Sequence, residues 1–283
     1  EARAVILPVP YERTTSYGAG TENGPRAILE ASAYVELYDE ELKCEPCEVG
    51  LWTAPPCRSD PGEDLEEALK AIERAASGPL ETGQFLVTLG GEHGLTTGPA
   101  RAARSIFGDV GVVQFDAHAD LRDSYEGSIY SHASVMRRLV DDLGMPSLAV
   151  GLRSLSLGEA RLIESRGLPV LWSREVHEEA LRDSTRLFEQ ALEALPERVY
   201  LTFDVDYFDP ALLPATGTPE PGGGTWHPTL SMLKKLFERK SVVAMDVVEL
   251  APNPASPSSD FVAAKLIYKA LGYRFFSSPS RAP

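Results

Sequence analysis

Seven stretches of the chain are apolar along nearly their whole length: Ala4–Val9, Gln84–Leu89, Asp109–Phe115, Pro146–Leu152, Leu168–Trp172, Arg198–Phe203 and Ser241–Leu250. A strand with one wet face alternates apolar and polar residues. Runs rich in Val and Leu without that alternation suit strands covered on both faces. Between them the pattern turns helical. In Asp64–Ala76, Leu65, Leu69, Ile72 and Ala76 recur at helical spacing, and Asp64 with Glu67 has the form of a capping box. His132–Gly144, Leu157–Gly167 and His227–Arg239 read the same way, and a helix is expected after His93. Strand and helix in alternation predict an α/β fold: a doubly wound, mostly parallel sheet between helices, with ligands outside the carboxyl ends of the strands. No repeat or low-complexity linker divides the chain, so residues 1–283 are expected to form one domain.

Those strand ends carry the chemistry. "GVVQFDAHAD", Gly111 to Asp120, ends with Asp116, His118 and Asp120 at every second position. If strand geometry persists, the three side chains share one face. Converging acids are costly to desolvate unless a cation joins them, and carboxylate and imidazole are natural ligands for one. The alternative is a solvated strand end. "VYLTFDVDYFDP" repeats the design with Asp204 and Asp206, Val205 turning into the core between them. Asp209-Pro210 has the form of a turn or helix start, a structural role. In "VTLGGEHGLTTG", Gly90-Gly91 permits a tight turn before Glu92 and His93. A lone histidine is commonly structural, but three of the five histidines, His93, His118 and His132, fall near these strand ends.

Two irregular pieces follow the acidic strand ends, Leu121–Ser131 and the Gly/Pro-rich Leu212–Pro228, and both are expected to border one crevice. The formal net charge of −15 argues against nucleic acid as a partner and favours small cations and polyamine-like substrates. No apolar run is long enough for a membrane span. The first ten residues lack the basic start and long apolar core of a secretion signal. Cys44, Cys47 and Cys57 are the three cysteines; spare thiols in a reducing, cytoplasmic setting fit best, with a redox or metal role for the Cys44–Cys47 pair as the alternative.

Taken together, "SYGAGTENGPRAI", "GGEH", "DAHAD", "SHASVMRR", "TFDVDYFDP", "GTPEPGG" and "DVVEL" resemble the ureohydrolase family, which contains the arginases and agmatinases. The resemblance implies a three-layer α/β/α fold and a binuclear centre with two Mn2+ per chain. It implies His93, Asp116, Asp120 and Asp204 as ligands of one metal. His118 and Asp206 would hold the other, with Asp116 and Asp204 as bridges. Hydroxide shared by the metals would attack a guanidino carbon, releasing urea and an amine. Asp120 and His132 would handle protons, and Glu249 would grip the guanidinium. Asp246 is expected to point away and serve packing or structural hydrogen bonds. Glu92 stands where the family commonly has Asp, at a position that is not a ligand.

The loop after Asp120 resembles agmatinase loops, so agmatine, cleaved to putrescine and urea, is the expected substrate. Asp123 or Glu126 would receive its ammonium. Arginine, guanidinobutyrate (favoured if Arg122 reads a carboxylate) and a non-catalytic metabolite-binding homologue are the alternatives. The related deacetylase fold would hold one metal. A homo-oligomer, trimer or hexamer, is implied as well.

Overall fold

Successive residues of the first strand alternate between two cores. Ala4 and Ile6 pack on one side of the sheet, while Val5, Leu7 and Val9 pack on the other. This is the period of two with both faces dry, which is why the sequence shows no polar alternation. Among the described residues, 2–58 and 62–277 of this computed structural model, eight strands form one sheet. They are β1 (Ala4–Val9), β2 (Leu51–Thr53), β3 (Phe85–Gly90), β4 (Val110–Phe115), β5 (Ser147–Leu152), β6 (Val170–Trp172), β7 (Arg198–Asp204) and β8 (Ser241–Val248). Their order is β2-β1-β3-β8-β7-β4-β5-β6, and every neighbouring pair is parallel.

Helices cover both faces. One layer holds α1 (Gly24–Ser32), α6 (Ser173–Leu181), α7 (Arg186–Leu192), α8 (Trp226–Arg239) and α9 (Ser258–Phe276). The other holds α2 (Leu65–Glu81), α3 (Thr97–Phe107), α4 (Val135–Arg137) and α5 (Leu157–Arg166). No helix among the described residues is long and apolar enough to cross a membrane. The cysteines are free.

All seven expected strands form. The edge strand β2 was not expected: its three residues are exposed, so burial leaves no mark on them. The α9 helix was not expected either. It is buried nearly all round, which erases the polar stripe that identifies a surface helix. Half of the capping box is present, since Asp64 accepts from the Glu66 N–H, but Glu67 pairs with Lys70 instead. The expected helix His132–Gly144 is broken into a single turn at His132–Ser134, α4, and a wide π turn at Arg138–Asp142. Arg137 pairs with Asp141 and Arg138 with Asp142 across that wide turn.

Candidate metal centre

The four central strands β3, β8, β7 and β4 are neighbours, so their carboxyl ends bring His93, Glu249, Asp204 and Asp116 together from distant parts of the chain. The mechanism of convergence differs from the strand alternation expected above. β4 ends at Phe115, and Asp120 sits in the left-handed region at φ 51°. Asp204 is the last residue of β7, and Asp206 lies in a one-turn helix, its N–H donating to Asp204 Oδ1 at 2.9 Å. Tight turns, not strand pleat, place the alternate acids side by side. Val205 between them is buried in the core, as expected. Backbone donors then fix the carboxylates: Ala117 N–H reaches Asp206 Oδ1 at 3.0 Å and His118 N–H reaches Asp116 Oδ1 at 2.6 Å.

His93 is set by the turn after β3. A Cβ on Gly91 would overlap the Tyr11 carbonyl, so only glycine lets these backbones approach. The His93 N–H donates to Glu249 Oε1 at 2.6 Å, and Glu249 itself is left-handed at φ 65°. Left-handed backbone at two non-glycine site residues is the sort of strain that folds carry at functional positions.

Around His93 Nδ1 stand three carboxylate oxygens: Asp120 at 2.9 Å, Asp116 at 3.1 Å and Asp204 at 3.4 Å. Yet Nδ1 is buried and makes no hydrogen bond. Its partner nitrogen explains this. Nε2 lies 2.8 Å from Thr202 Oγ1, and Thr202 donates its only proton to Asp246 Oδ1 at 2.7 Å. The threonine oxygen must therefore accept from Nε2–H, leaving a bare lone pair on Nδ1 aimed among carboxylates. Lone pairs facing anions repel unless a cation sits between them, and a carboxylate-backed second shell is how ligating histidines are held. A second set follows: His118 Nδ1 lies 2.8 Å from Asp206 Oδ2 and 3.7 Å from Asp116 Oδ1. Two groups meet metal-ligand spacing, His93–Asp116–Asp204 and Asp116–His118–Asp206, sharing Asp116. Neither contains a cysteine. Asp204 falls in the first group only, and Asp120 stands beside it.

The electrostatics agree. Burial, then repulsion from Asp206 and Asp120, pushes the Asp116 carboxyl up to about 7. Burial and the same crowding by Asp206 and Asp116 raise Asp204 well above the carboxylate range. Burial opposes charge on His93 and His118, but the surrounding acids outweigh it, lifting His93 well above its usual value and His118 to about 11. Burial likewise opposes charge on Asp206, and its bond to His118 wins, holding it low. Metal-free, the cluster must hold protons where a cation would otherwise sit. The carboxylates and imidazoles of these two groups suit a hard or borderline divalent ion.

The cleft over this cluster, of ≈ 360 Å³, is lined by His118, Asp120, His132, Asp204, Asp206 and Glu249, together with Ser16, Arg122, Tyr125, Glu159 and Glu220. Both irregular loops border it, as expected. Burial, then repulsion from Glu92, raises the Glu249 carboxyl well above its ordinary range, although the His93 N–H pulls it down. Asp123 and Glu126 are not among the lining residues. Asp123 is turned to Arg138, 3.2 Å away, and Glu126 sits exposed in a left-handed turn. The expectation that they face the substrate took every acid in the loop as available, whereas Arg138 captures one and the turn points the other outward. Asp246 is structural, as expected, accepting from Thr96, Tyr200 and Thr202.

Several contributors were missed, Thr202 and Arg153 among them. Thr202 was legible, lying two residues before Asp204 and so on the same strand face. Arg153 left no signal. It gives four of its N–H···O contacts to the carbonyls of Asp206, Phe208, Glu220 and Pro221, tying the metal turn to the cleft loop. Asp209 helps from the other side, accepting from Ala211 and Gly222 N–H as a structural turn residue.

An N(1)-aminopropylagmatine ureohydrolase of Synechocystis sp. is 42% identical, over 96% of this chain and 89% of the relative. An agmatinase of Pyrococcus horikoshii is 33% identical, over 96% and 92%. The crystal structure of agmatine ureohydrolase of Thermoplasma volcanium superposes with a TM-score of 0.86 at 30% identity, over 97% and 90%. Residues 2–272 match the family described as Arginase, and it is to the arginase family that this chain belongs.

Proposed function

We propose that the protein hydrolyses a linear guanidine whose far end is a polyamine, releasing urea and the free amine. Water adds to the guanidinium carbon, the bond from that carbon to the alkylated nitrogen breaks, and the departing amine keeps a proton, so that guanidinium and water become urea and an ammonium ion. Two divalent cations, assigned as Mn2+ and held by His93, Asp116, Asp120, Asp204, His118 and Asp206, would supply the hydroxide at neutral pH by acidifying a water. Glu249 binds the guanidinium, whose planar fork matches a carboxylate. Asp120 and His132 carry protons between the attacking water and the leaving nitrogen.

The observation that carries the substrate choice is Glu220. It is a half-buried cleft carboxylate with no side-chain partner among the described residues. Arg122, which could have favoured a substrate acid, is occupied: it lies over the Tyr125 ring at 4.9 Å and 4.0 Å from Glu159. A second positive charge on the substrate is thus welcome and a carboxylate is not. The Synechocystis relative's name favours the aminopropyl derivative of agmatine. Agmatine itself is the second reading, favoured by the Pyrococcus relative.

Urea release from the manganese-loaded enzyme tests this across aminopropylagmatine, agmatine, arginine and guanidinobutyrate. kcat/KM for the cationic-tailed guanidines should exceed that for arginine by about 10²-fold or more. Glu249→Gln should weaken every guanidine and Glu220→Gln only those with a cationic tail. Equal efficiency for arginine and agmatine would contradict the assignment.

A further inference from the structure

Thr14 stands between a buried carboxylate and the cleft histidine. Its hydroxyl lies 2.7 Å from Glu92 Oε1, while Glu92 Oε2 accepts the N–H groups of Arg13 and Thr14, each at 2.6 Å. Glu92 is fully buried. The same Thr14 oxygen accepts the His132 backbone N–H at 3.0 Å and lies 3.2 Å from His132 Nδ1. On the ring's other edge, Nε2 is 3.5 Å from Ser16 Oγ, a residue of the cleft lining. Tyr125 packs edge-on to the ring at 5.7 Å.

A hydroxyl has one proton to give. Three donors converge on the two oxygens of Glu92, so that proton goes to Glu92 Oε1. The Thr14 oxygen is then an acceptor, and the ring nitrogen it faces must be the one that carries hydrogen. We propose that Thr14, held by Glu92, is a positioning residue that fixes His132 with its proton on Nδ1 and its lone pair on Nε2, toward the cleft. This rests on the reading of His132 as a proton carrier. Only a bare Nε2 can take a proton from the cleft. The imidazolium so formed keeps its Nδ1–H on Thr14 and returns the other proton to the leaving nitrogen, with no net change to the enzyme. Glu92, outside the metal ligands, thereby acts on the reaction through two hydrogen bonds.

Ring-nitrogen NMR of isotope-labelled histidine in the zinc-loaded, diamagnetic protein reads that direction, with His132→Ala assigning the signals. Wild type and Thr14→Ser should show neutral His132 with Nδ1 protonated and Nε2 bare. Thr14→Val should lose that preference. In manganese-loaded enzyme Thr14→Val should lower kcat by about 10²-fold, the loss expected when a catalytic imidazole is no longer held in its working tautomer. KM and metal content should stay near wild type, and Thr14→Ser should restore kcat. A wild-type ring protonated on Nε2 overturns the proposal, and so does an unchanged tautomer in Thr14→Val whatever kcat does. The tautomer is read without turnover, so a protein that released no urea from any guanidine would remove the proposed reaction and leave the relay standing.

Discussion

Asp39 and Glu41 close around Lys269 of α9, whose ammonium lies 2.9 Å from Asp39 and 2.7 Å from Glu41. At the ends of β3, β4 and β7, Asp116, Asp120 and Asp204 close around His93 Nδ1 at 3.1, 2.9 and 3.4 Å. In both places a carboxylate is taken wholly out of water, Asp39 in the first and Asp116 in the second. In the first the chain supplies its own cation. Burial alone would raise Glu41, but Lys269, with Lys234 and Tyr273, outweighs it and holds the carboxyl at about 2. In the second no lysine or arginine contacts the carboxylates among the described residues, and Asp116 rises to about 7. The shifts run in opposite directions: Glu41, still partly in water, has lysines to answer its charge, whereas the fully buried Asp116 has only other acids and a histidine, which separates a completed ion cluster from one built to receive an ion.

The largest effect should come from removing a shared ligand. Asp116→Asn should lower metal content and reduce turnover by more than the 10–100-fold typical of outer-sphere changes at metal sites. Elemental analysis alongside urea release checks both. Full activity with metal intact would return Asp116 to a structural role.

Lys269→Met breaks the other cluster. It strands a buried Asp39 and should destabilise the fold by about 3–5 kcal/mol in denaturant titration at neutral pH, leaving metal stoichiometry unchanged. The sign with pH follows from Glu41. Its pKa is depressed, so its share of the stability is present above the unfolded value near 4.5 and is lost as pH falls through about 2.

Smaller again is Thr202→Val, which removes the acceptor of His93 Nε2–H and should weaken metal affinity by about 10–100-fold without altering stoichiometry at saturation. The smallest effect is graded with pH. Asp116 binds a proton below about 7, and metal must displace it there. The apparent affinity, measured by chelator competition, should therefore fall more steeply below pH 7 than above it, by about a further tenfold per unit for one proton. An affinity independent of pH would mean that the acids are not the ligands.

Much of this was written in the sequence. Near-continuous apolar runs mark the buried strands, and acids two residues apart at their ends mark the candidate ligands, because dry strands leave few reasons for a carboxylate. The means of convergence was not legible. The left-handed backbone of Asp120 and Glu249 and the turn at Asp206 depend on neighbours across the sheet. Asp123 and Glu126 misled because a loop sequence does not show that Arg138 waits for one of them. Arg153 and Thr14 act through atoms contributed by segments far away in the chain, so nothing local distinguishes them. The β2 and α9 elements were hidden for opposite reasons, one too exposed to carry an apolar run and the other too buried to keep a polar face.

Metal stoichiometry decides whether the acids at the strand ends form a paired-ion centre. After manganese loading and removal of free ion, elemental analysis should give two metals per chain, with Asp204→Asn binding fewer. One metal per chain at full urea-releasing activity would contradict the binuclear assignment.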